Sequence, residues 1–224
     1  MDFRRRLLDT LRVFRAVLEA PGVLMVGSEV PNLLEPDAAS TLVVSQDVDL
    51  GIAVENLAEV KKILSRVVGM RRSAEEPSVW VPENAGLIEV NLLGIDRNFR
   101  DPFGAYLRED PDLPLMVFGP LSLVRPGAVL RIEDLRVPLP RISDLLVEKL
   151  LTERSGAKGD RDLLVALGLL LHTGDRDLED AAALVGTLAG EARHAGRSNL
   201  TSLSLLEPRP GMPDPRPHRR RILE

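Results

Sequence analysis

Residues 45–54 read SQDVDLGIAV. From Asp47 onward, polar and apolar residues alternate with a period of two. That is the pattern of a half-buried β-strand, and it places Asp47 and Asp49 on the same face. Asp is depleted in strands, and two carboxylates at neighbouring same-face positions repel one another. A divalent cation shared between them resolves the conflict. An Asp-x-Asp pair alone is a weak pattern, because it also marks turns, so the surrounding sequence decides what it means.

Upstream, Phe3, Leu7, Leu11, Phe14 and Leu18 recur at helical spacing until Pro21-Gly22 stops them. VLMVG (23–27) then reads as a short buried strand leading through Gly27-Ser28 toward a helix, after which comes a loop with Pro36 and Asp37. Glycine allows close backbone approach, and the following amide and hydroxyl can hold a phosphate; a simple turn accounts for the pair equally well. Downstream, Asn56 and Glu59 have capping-box spacing ahead of the helical LAEVKKILSRVV. SVWVP (78–82) and GLIEVNLLG (86–94) read as paired strands joined at Glu83-Asn84, with Glu89 and Asn91 on one face. Either could complete a site with the aspartates, and an exposed sheet face explains both as well. The Pro- and Gly-rich stretch from Asp96 to Gly127 is expected to be a long irregular insertion with short elements, of the kind that often covers a ligand. AVLRI (128–132) and LRVPL (135–139) follow as short strands. From Ile142 the pattern turns helical: ISDLLVEKLLTE with Ser143 as N-cap, then RDLLVALGLLLH, then LEDAAALVGTLAGEA. The expected class is therefore α+β, a mixed β-sheet with flanking helices over residues 1–140. A helical region over 141–206 and a flexible Pro/Arg-rich tail over 207–224 complete it.

Composition narrows the chemistry. The chain has 224 residues, no cysteine and three histidines, which leaves no thiolate zinc site and little scope for a histidine-rich one. A metal here should be a hard cation held by carboxylates, Mg2+ or Mn2+. No apolar run is long enough to span a bilayer, and the basic N-terminus lacks the apolar stretch of a secretory signal, so a cytoplasmic protein without membrane contact is expected. The formal charge is −5, yet Arg4, Arg5, Arg6, Arg12 and Arg15 crowd the first segment and 218–221 read HRRR. These read either as solvated surface or as a guide for an anionic partner such as RNA.

Gly27-Ser28, then Ser45-x-Asp47-x-Asp49-Leu50, then a carboxylate on a later strand resemble the nucleotidyltransferase superfamily of polymerase-β type. VPLPRISDLLVEKLLTERSGAKGDRDLLVALGLL, with Glu148-Lys149 and Arg161-Asp162, resembles the C-terminal half of the AbiEii abortive-infection toxins and the related MenT-type transferases. The resemblance spans roughly residues 22–172. The chain departs from the pattern in having Glu29 after Gly-Ser and Val165 where a second aspartate often stands.

The resemblance implies transfer of a nucleoside monophosphate from a nucleoside triphosphate to an acceptor. Asp47, Asp49 and Glu89 would be the catalytic and metal-holding residues. Gly27, Ser28, Lys149, Lys158 and Asp162 would hold the nucleotide, although Lys149 also reads as a lysine skirting a core and Asp162 as a helix-dipole partner. In the toxin relatives the acceptor is RNA, notably the tRNA 3′ end, and an antitoxin protein is the partner. A small-molecule or protein acceptor is one alternative, and a catalytically silent binding module of this fold is another.

Overall fold

The apolar stripe of the N-terminal segment forms α1 (Phe3–Val13) and α2 (Arg15–Leu18), burying Leu7, Leu11, Phe14 and Leu18. The computed structural model describes residues 3–35, 47–152, 157–208 and 214–223, without the side chains of 157–161, 221 and 223. Ser45, Pro36 and Asp37 lie outside the described residues, as does the side chain of Lys158. The chain continues through β1 (Val23–Met25) and α3 (Val30–Leu34) to β2 (Asp47–Ala53). A 3-10 turn at Val54–Asn56 leads into α4 (Leu57–Leu64). The capping box expected at Asn56 does not form, since the Asn56 side chain makes no capping hydrogen bond. It packs over the tight turn at Gly22 (φ +75°), where an added Cβ would lie 2.5 Å from Asn56 Oδ1.

The strands β3 (Met70–Arg72), β4 (Val79–Pro82) and β5 (Glu89–Ile95) complete the order β1-β2-β5-β4-β3. β2 and β5 pair in parallel over seven residues, with Asp47 opposite Glu89 and Asp49 opposite Asn91; β1–β2 and β4–β5 are antiparallel. The stretch from Asp96 to Gly127 carries the short elements expected of it, and the structure adds that one of them extends the main sheet. It holds β6 (Ala105–Arg108) and β7 (Leu115–Phe118), and β7 joins the main sheet in parallel with β5 at Leu93–Gly94. In β7, Leu115 and Val117 are buried while Met116 and Phe118 are exposed. This alternation is too short to stand out among the surrounding prolines.

A separate ribbon, β8 (Pro126–Ile132) with β9 (Leu135–Pro140), turns at Glu133, whose φ is +53°. The helical half follows as α5 (Ile142–Leu151), α6 (Ala157–His172), α7 (Asp175–Thr187), α8 (Gly190–Ser204) and a short α9 (Arg219–Leu223). Ser143 is not the N-cap of α5. Arg141 holds that position, and Ser143 Oγ donates to Asp144 Oδ1 from within the first turn. Fully buried Asp144 fastens the helix start, accepting from the Arg125 backbone N–H and from its guanidinium at 2.7–2.9 Å. LEDAAALVGTLAGEA is not one helix either. Leu188 and Ala189 are extended, and Leu188 packs toward Val147 and Leu151, so α8 folds back onto α5.

One apolar core runs through both halves, with Leu11, Val48, Leu92, Leu145, Val165 and Leu203 among its members. Ile222 belongs to it as well, so the expected tail contributes a buried side chain through α9. No described helix is long and apolar enough to cross a membrane. Several N-terminal arginines bind within the protein. Arg4 donates to the carbonyls of Asn32 and Glu35, Arg6 donates to that of Leu87, and Arg12 and Arg15 pair with Asp134.

Buried Thr10 on α1 accepts the Ile88 N–H at 2.8 Å and donates to the Arg6 carbonyl at 2.8 Å, which ties α1 to the entrance of β5. Thr10→Val leaves that buried N–H without its acceptor and should cost about 1–3 kcal/mol in chemical denaturation, while Thr10→Ser recovers most of the loss. Lys61 on α4 donates to Asp110 at 2.7 Å in the β6–β7 loop. That bond, helped by the backbone N–H groups of Asp112 and Leu113, holds the Asp110 carboxyl down to about 2. A depressed carboxyl contributes stability above its unfolded value of 3.8, and the contribution fades as pH falls toward about 2. The denaturation midpoints of Asp110→Asn and the parent protein should therefore differ at pH 6 and converge between pH 4 and 2.

Candidate active site

Because side chains of a strand alternate in direction, β2 sends Val48, Leu50 and Ile52 into the core and turns Asp47 and Asp49 to the other face. The parallel register sets Asn91 beside Asp49, and its Nδ2 donates to Asp47 Oδ2 at 2.9 Å and to Asp49 Oδ1 at 3.1 Å. Burial holds the Asp49 carboxyl above its ordinary range, and the Asp47 charge adds to the effect. Lys149 and the Asn91 hydrogen bond act in the opposite direction. Glu89 stands opposite Asp47 in register, and its carboxyl too is raised, first by burial and then by Asp47 and Glu76. The structure thus bonds Asn91 to both aspartates and sets Glu89 beside Asp47 on the neighbouring strand.

That cleft, about 400 Å³, falls in the ~300–1,000 Å³ range of small-molecule sites. Ser28, Asp47, Asp49, Glu148, Lys149 and Asp162 give it a polar wall. Lys149 arrives on α5, a helix packed on by α6, α7 and α8 and buried around nearly its whole circumference. Its ammonium lies 3.0 Å from Glu148. Burial alone would discharge this lysine, but the charges of Glu148, Asp162 and Asp49 outweigh it and raise its pKa. Glu148 also accepts from the Thr152 hydroxyl at 3.3 Å. Of the sequence-derived candidates, Ser28, Asp47, Asp49, Lys149 and Asp162 share the cleft.

Gly27 has a role that its spacing did not reveal. A Cβ there would lie 2.5 Å from Asp49 Oδ2 and 2.9 Å from Asp49 Cβ, so the missing side chain makes room for the aspartate. Buried Glu29, the residue by which the chain departs from the family pattern, accepts from Asn32 Nδ2 at 2.8 Å. Asn91 was legible as a same-face neighbour of Glu89; its hold on both aspartates follows only from the β2–β5 register.

Among the described residues no cluster of three or more His, Asp or Glu side chains is gathered as a ready-made ion site. Two adjacent carboxylates are nonetheless the donor set that Mg2+ commonly takes from a protein, with water and substrate phosphates filling the rest of its shell. The cleft's described lining carries four carboxylates, Asp47, Asp49, Glu148 and Asp162, against the single ammonium of Lys149, a surplus of three negative charges if all are ionised. Such a surface attracts cations and repels bare phosphates. No known protein family and no curated protein matches the chain by sequence. The fold and site together define an α+β protein with an acidic cleft between a mixed sheet and a helical half.

The contact at Gly27 has a measurable consequence. Gly27→Ala should destabilise the parent protein more than it destabilises an Asp49→Ala background, in which the Oδ2 and Cγ atoms are gone. A double-mutant cycle by urea denaturation should return a coupling of about 0.5–3 kcal/mol.

Proposed function

We propose that this protein is a metal-dependent nucleotidyltransferase of polymerase-β type, related in pattern to the AbiEii and MenT-type enzymes. The observation that carries the reading is the same-face pair Asp47 and Asp49, set at a nucleotide-sized cleft opposite a buried, charged Lys149. The negative surplus of that cleft adds to it. A triphosphate enters such a surface only together with cations, so the substrate is the magnesium complex of a nucleoside triphosphate.

In this reading Asp47 and Asp49 would hold the cation, and Asn91 donates to both carboxylates through its paired hydrogen bonds. Bound Mg2+ or Mn2+ would neutralise phosphate charge and lower the pKa of an attacking hydroxyl. Ser28 offers a hydroxyl at the same wall, and Gly27 leaves Asp49 its space. Lys149, kept protonated by Glu148 and Asp162, supplies the fixed positive charge of the cleft. Asp162 thereby acts through Lys149. Glu89, opposite Asp47 in register, would complete the metal site or take the proton of the attacking hydroxyl. The acceptor oxygen attacks the α-phosphorus, the bond to the β-phosphate breaks, and pyrophosphate leaves. Catalysis of this type rests on positioning and charge.

RNA, including a tRNA 3′ end, is the acceptor that the resemblance favours, with an antitoxin as protein partner. A second reading keeps the chemistry and takes a polycationic small molecule, such as an aminoglycoside, as acceptor. The acidic cleft and the internal bonding of Arg4, Arg6, Arg12 and Arg15 favour it.

The test is Mg2+-dependent binding of nucleoside triphosphates, followed by incorporation of labelled nucleotide into total RNA, protein and amino sugars. Asp49→Asn should lower transfer by about 100-fold or more, because even indirect supports of a metal site are worth about 10–100-fold. Metal-independent binding, or binding and transfer undiminished in Asp49→Asn, would overturn the reading. Label in RNA selects the toxin-like acceptor, and label in the amino sugar selects the second reading.

A further inference from the structure

Aromatic residues are scarce, five Phe, one Tyr and one Trp, and packing accounts for most of them. Phe14 and Trp80 meet edge to face at 5.9 Å within the core. Phe99 and Tyr106 meet at 5.1 Å, and the Tyr106 hydroxyl donates to Asp96 at 2.6 Å. Phe3 rests against the core. Phe103 and Phe118 differ from all of these. They are 37% and 36% exposed, and both line the cleft of the aspartate pair. Two partly exposed phenylalanines lining one cleft form an apolar patch of the kind that marks ligand-binding grooves.

The backbone around these rings is fixed. Asp101 Oδ1 accepts the Phe103 N–H at 3.0 Å, and the Asp101 carbonyl accepts the Gly104 N–H at 3.3 Å. The Gly104 carbonyl accepts the Gly119 N–H at 2.9 Å, so the loop carrying Phe103 is clamped to the end of the strand carrying Phe118. The approach is so close that a Cβ on Gly119 would sit 1.8 Å from the Asp101 carbonyl oxygen. Ala105 lies opposite Phe118 in register, and with Gly104 it puts the smallest residues of the wall beside the two rings. Pro102 and Pro120 extend this apolar wall. The polar wall comes from elsewhere: the turn between β1 and α3, β2, α5 and α6. The cleft therefore joins a wall of charged and polar side chains to an apolar one that carries two aromatic rings.

We propose that Phe103 and Phe118 form the platform on which the nucleobase of the bound triphosphate stacks; this rests on the nucleotidyltransferase reading above. The β6–β7 hairpin takes the base by its π-face while the aspartate wall takes the phosphates with their cation. Aromatic stacking supplies affinity with little base discrimination, since every base has a π-face. The wall presents Pro, Phe, Gly and Ala, with no charged or amide side chain among its described residues. The four common ribonucleoside triphosphates should consequently bind within a narrow range of one another.

The experiment measures binding of Mg·ATP, Mg·CTP and Mg·tripolyphosphate by calorimetry to the full chain and to Phe103→Ala, Phe118→Ala, Phe103→Trp and Phe118→Tyr. In the parent protein both nucleotides should bind more tightly than tripolyphosphate. Each alanine variant should weaken nucleotide binding roughly 10- to 100-fold and leave tripolyphosphate binding unchanged, while the aromatic replacements keep nucleotide affinity. Nucleotide affinity that is unchanged in the alanine variants overturns the proposal. An equal loss for tripolyphosphate also overturns it, since that marks a merely structural role. So does weakening confined to a single-stranded oligoribonucleotide, which would make the platform an acceptor site. A parent protein that binds tripolyphosphate as well as nucleotides defeats the platform alone. A parent that binds none of the three defeats the nucleotidyltransferase reading itself, and the platform with it.

Discussion

The parallel pairing of β2 with β5 is the constraint on which the rest of the structure depends. Parallel neighbours cannot be joined by a tight turn, so the chain needs a long crossover between them. Residues 54–88 provide it, through α4 and the β3–β4 pair. The seven-residue ladder puts Val48, Leu50 and Ile52 in one core with Val90 and Leu92. The same alternation turns Asp47, Asp49, Glu89 and Asn91 to the opposite face. A slip of one residue in either strand would carry carboxylates into the core and valines into the cleft. Core and site are therefore two faces of one register, and neither can change without the other.

α5 imposes the second constraint. It is buried by its neighbours almost all round, yet it brings Glu148 and Lys149 to the aspartates. A buried ammonium costs several kcal/mol of lost hydration unless anions compensate it, and a buried carboxylate incurs the reciprocal cost. Around Lys149 the compensation is more than complete, with Glu148, Asp162 and Asp49 all raising its pKa. The excess of negative charge remains at the aspartate end, where Asn91 offers an amide but no positive charge. An acidic cleft of this composition attracts cations, and the proposed function assigns such a cation to the nucleotide's phosphates.

Much of the architecture was legible in local pattern. The alternation after Asp47, the stripe from Phe3 to Leu18 and the strand pair around Glu83-Asn84 all read correctly, because each depends on side-chain direction over a few residues. The misreadings have equally specific causes. Short elements were expected between Asp96 and Gly127, but β7 is four residues long and flanked by prolines, so its place in the main sheet was not legible. Asn56 and Ser143 have the chemistry of N-caps but are used elsewhere, Asn56 over the Gly22 turn and Ser143 against Asp144. The helix break at Leu188–Ala189 serves packing against α5, a partner nearly forty residues away in sequence.

For the site, the amino-acid order alone determined that Asp47 and Asp49 share a face and that Glu89 and Asn91 share another, since strand geometry follows from the chain's own bond angles. That Glu89 stands beside Asp47 and Asn91 beside Asp49 was decided by the β2–β5 register. Tertiary structure also decided that Gly27 makes room for Asp49, that the Asp49 charge acts on Lys149, and that Phe103 and Phe118 share the cleft. Each of these depends on contact between segments tens of residues apart. Such contacts are set by the joint burial of a whole core and by backbone hydrogen bonding across strands, which neighbouring residues in a sequence do not encode.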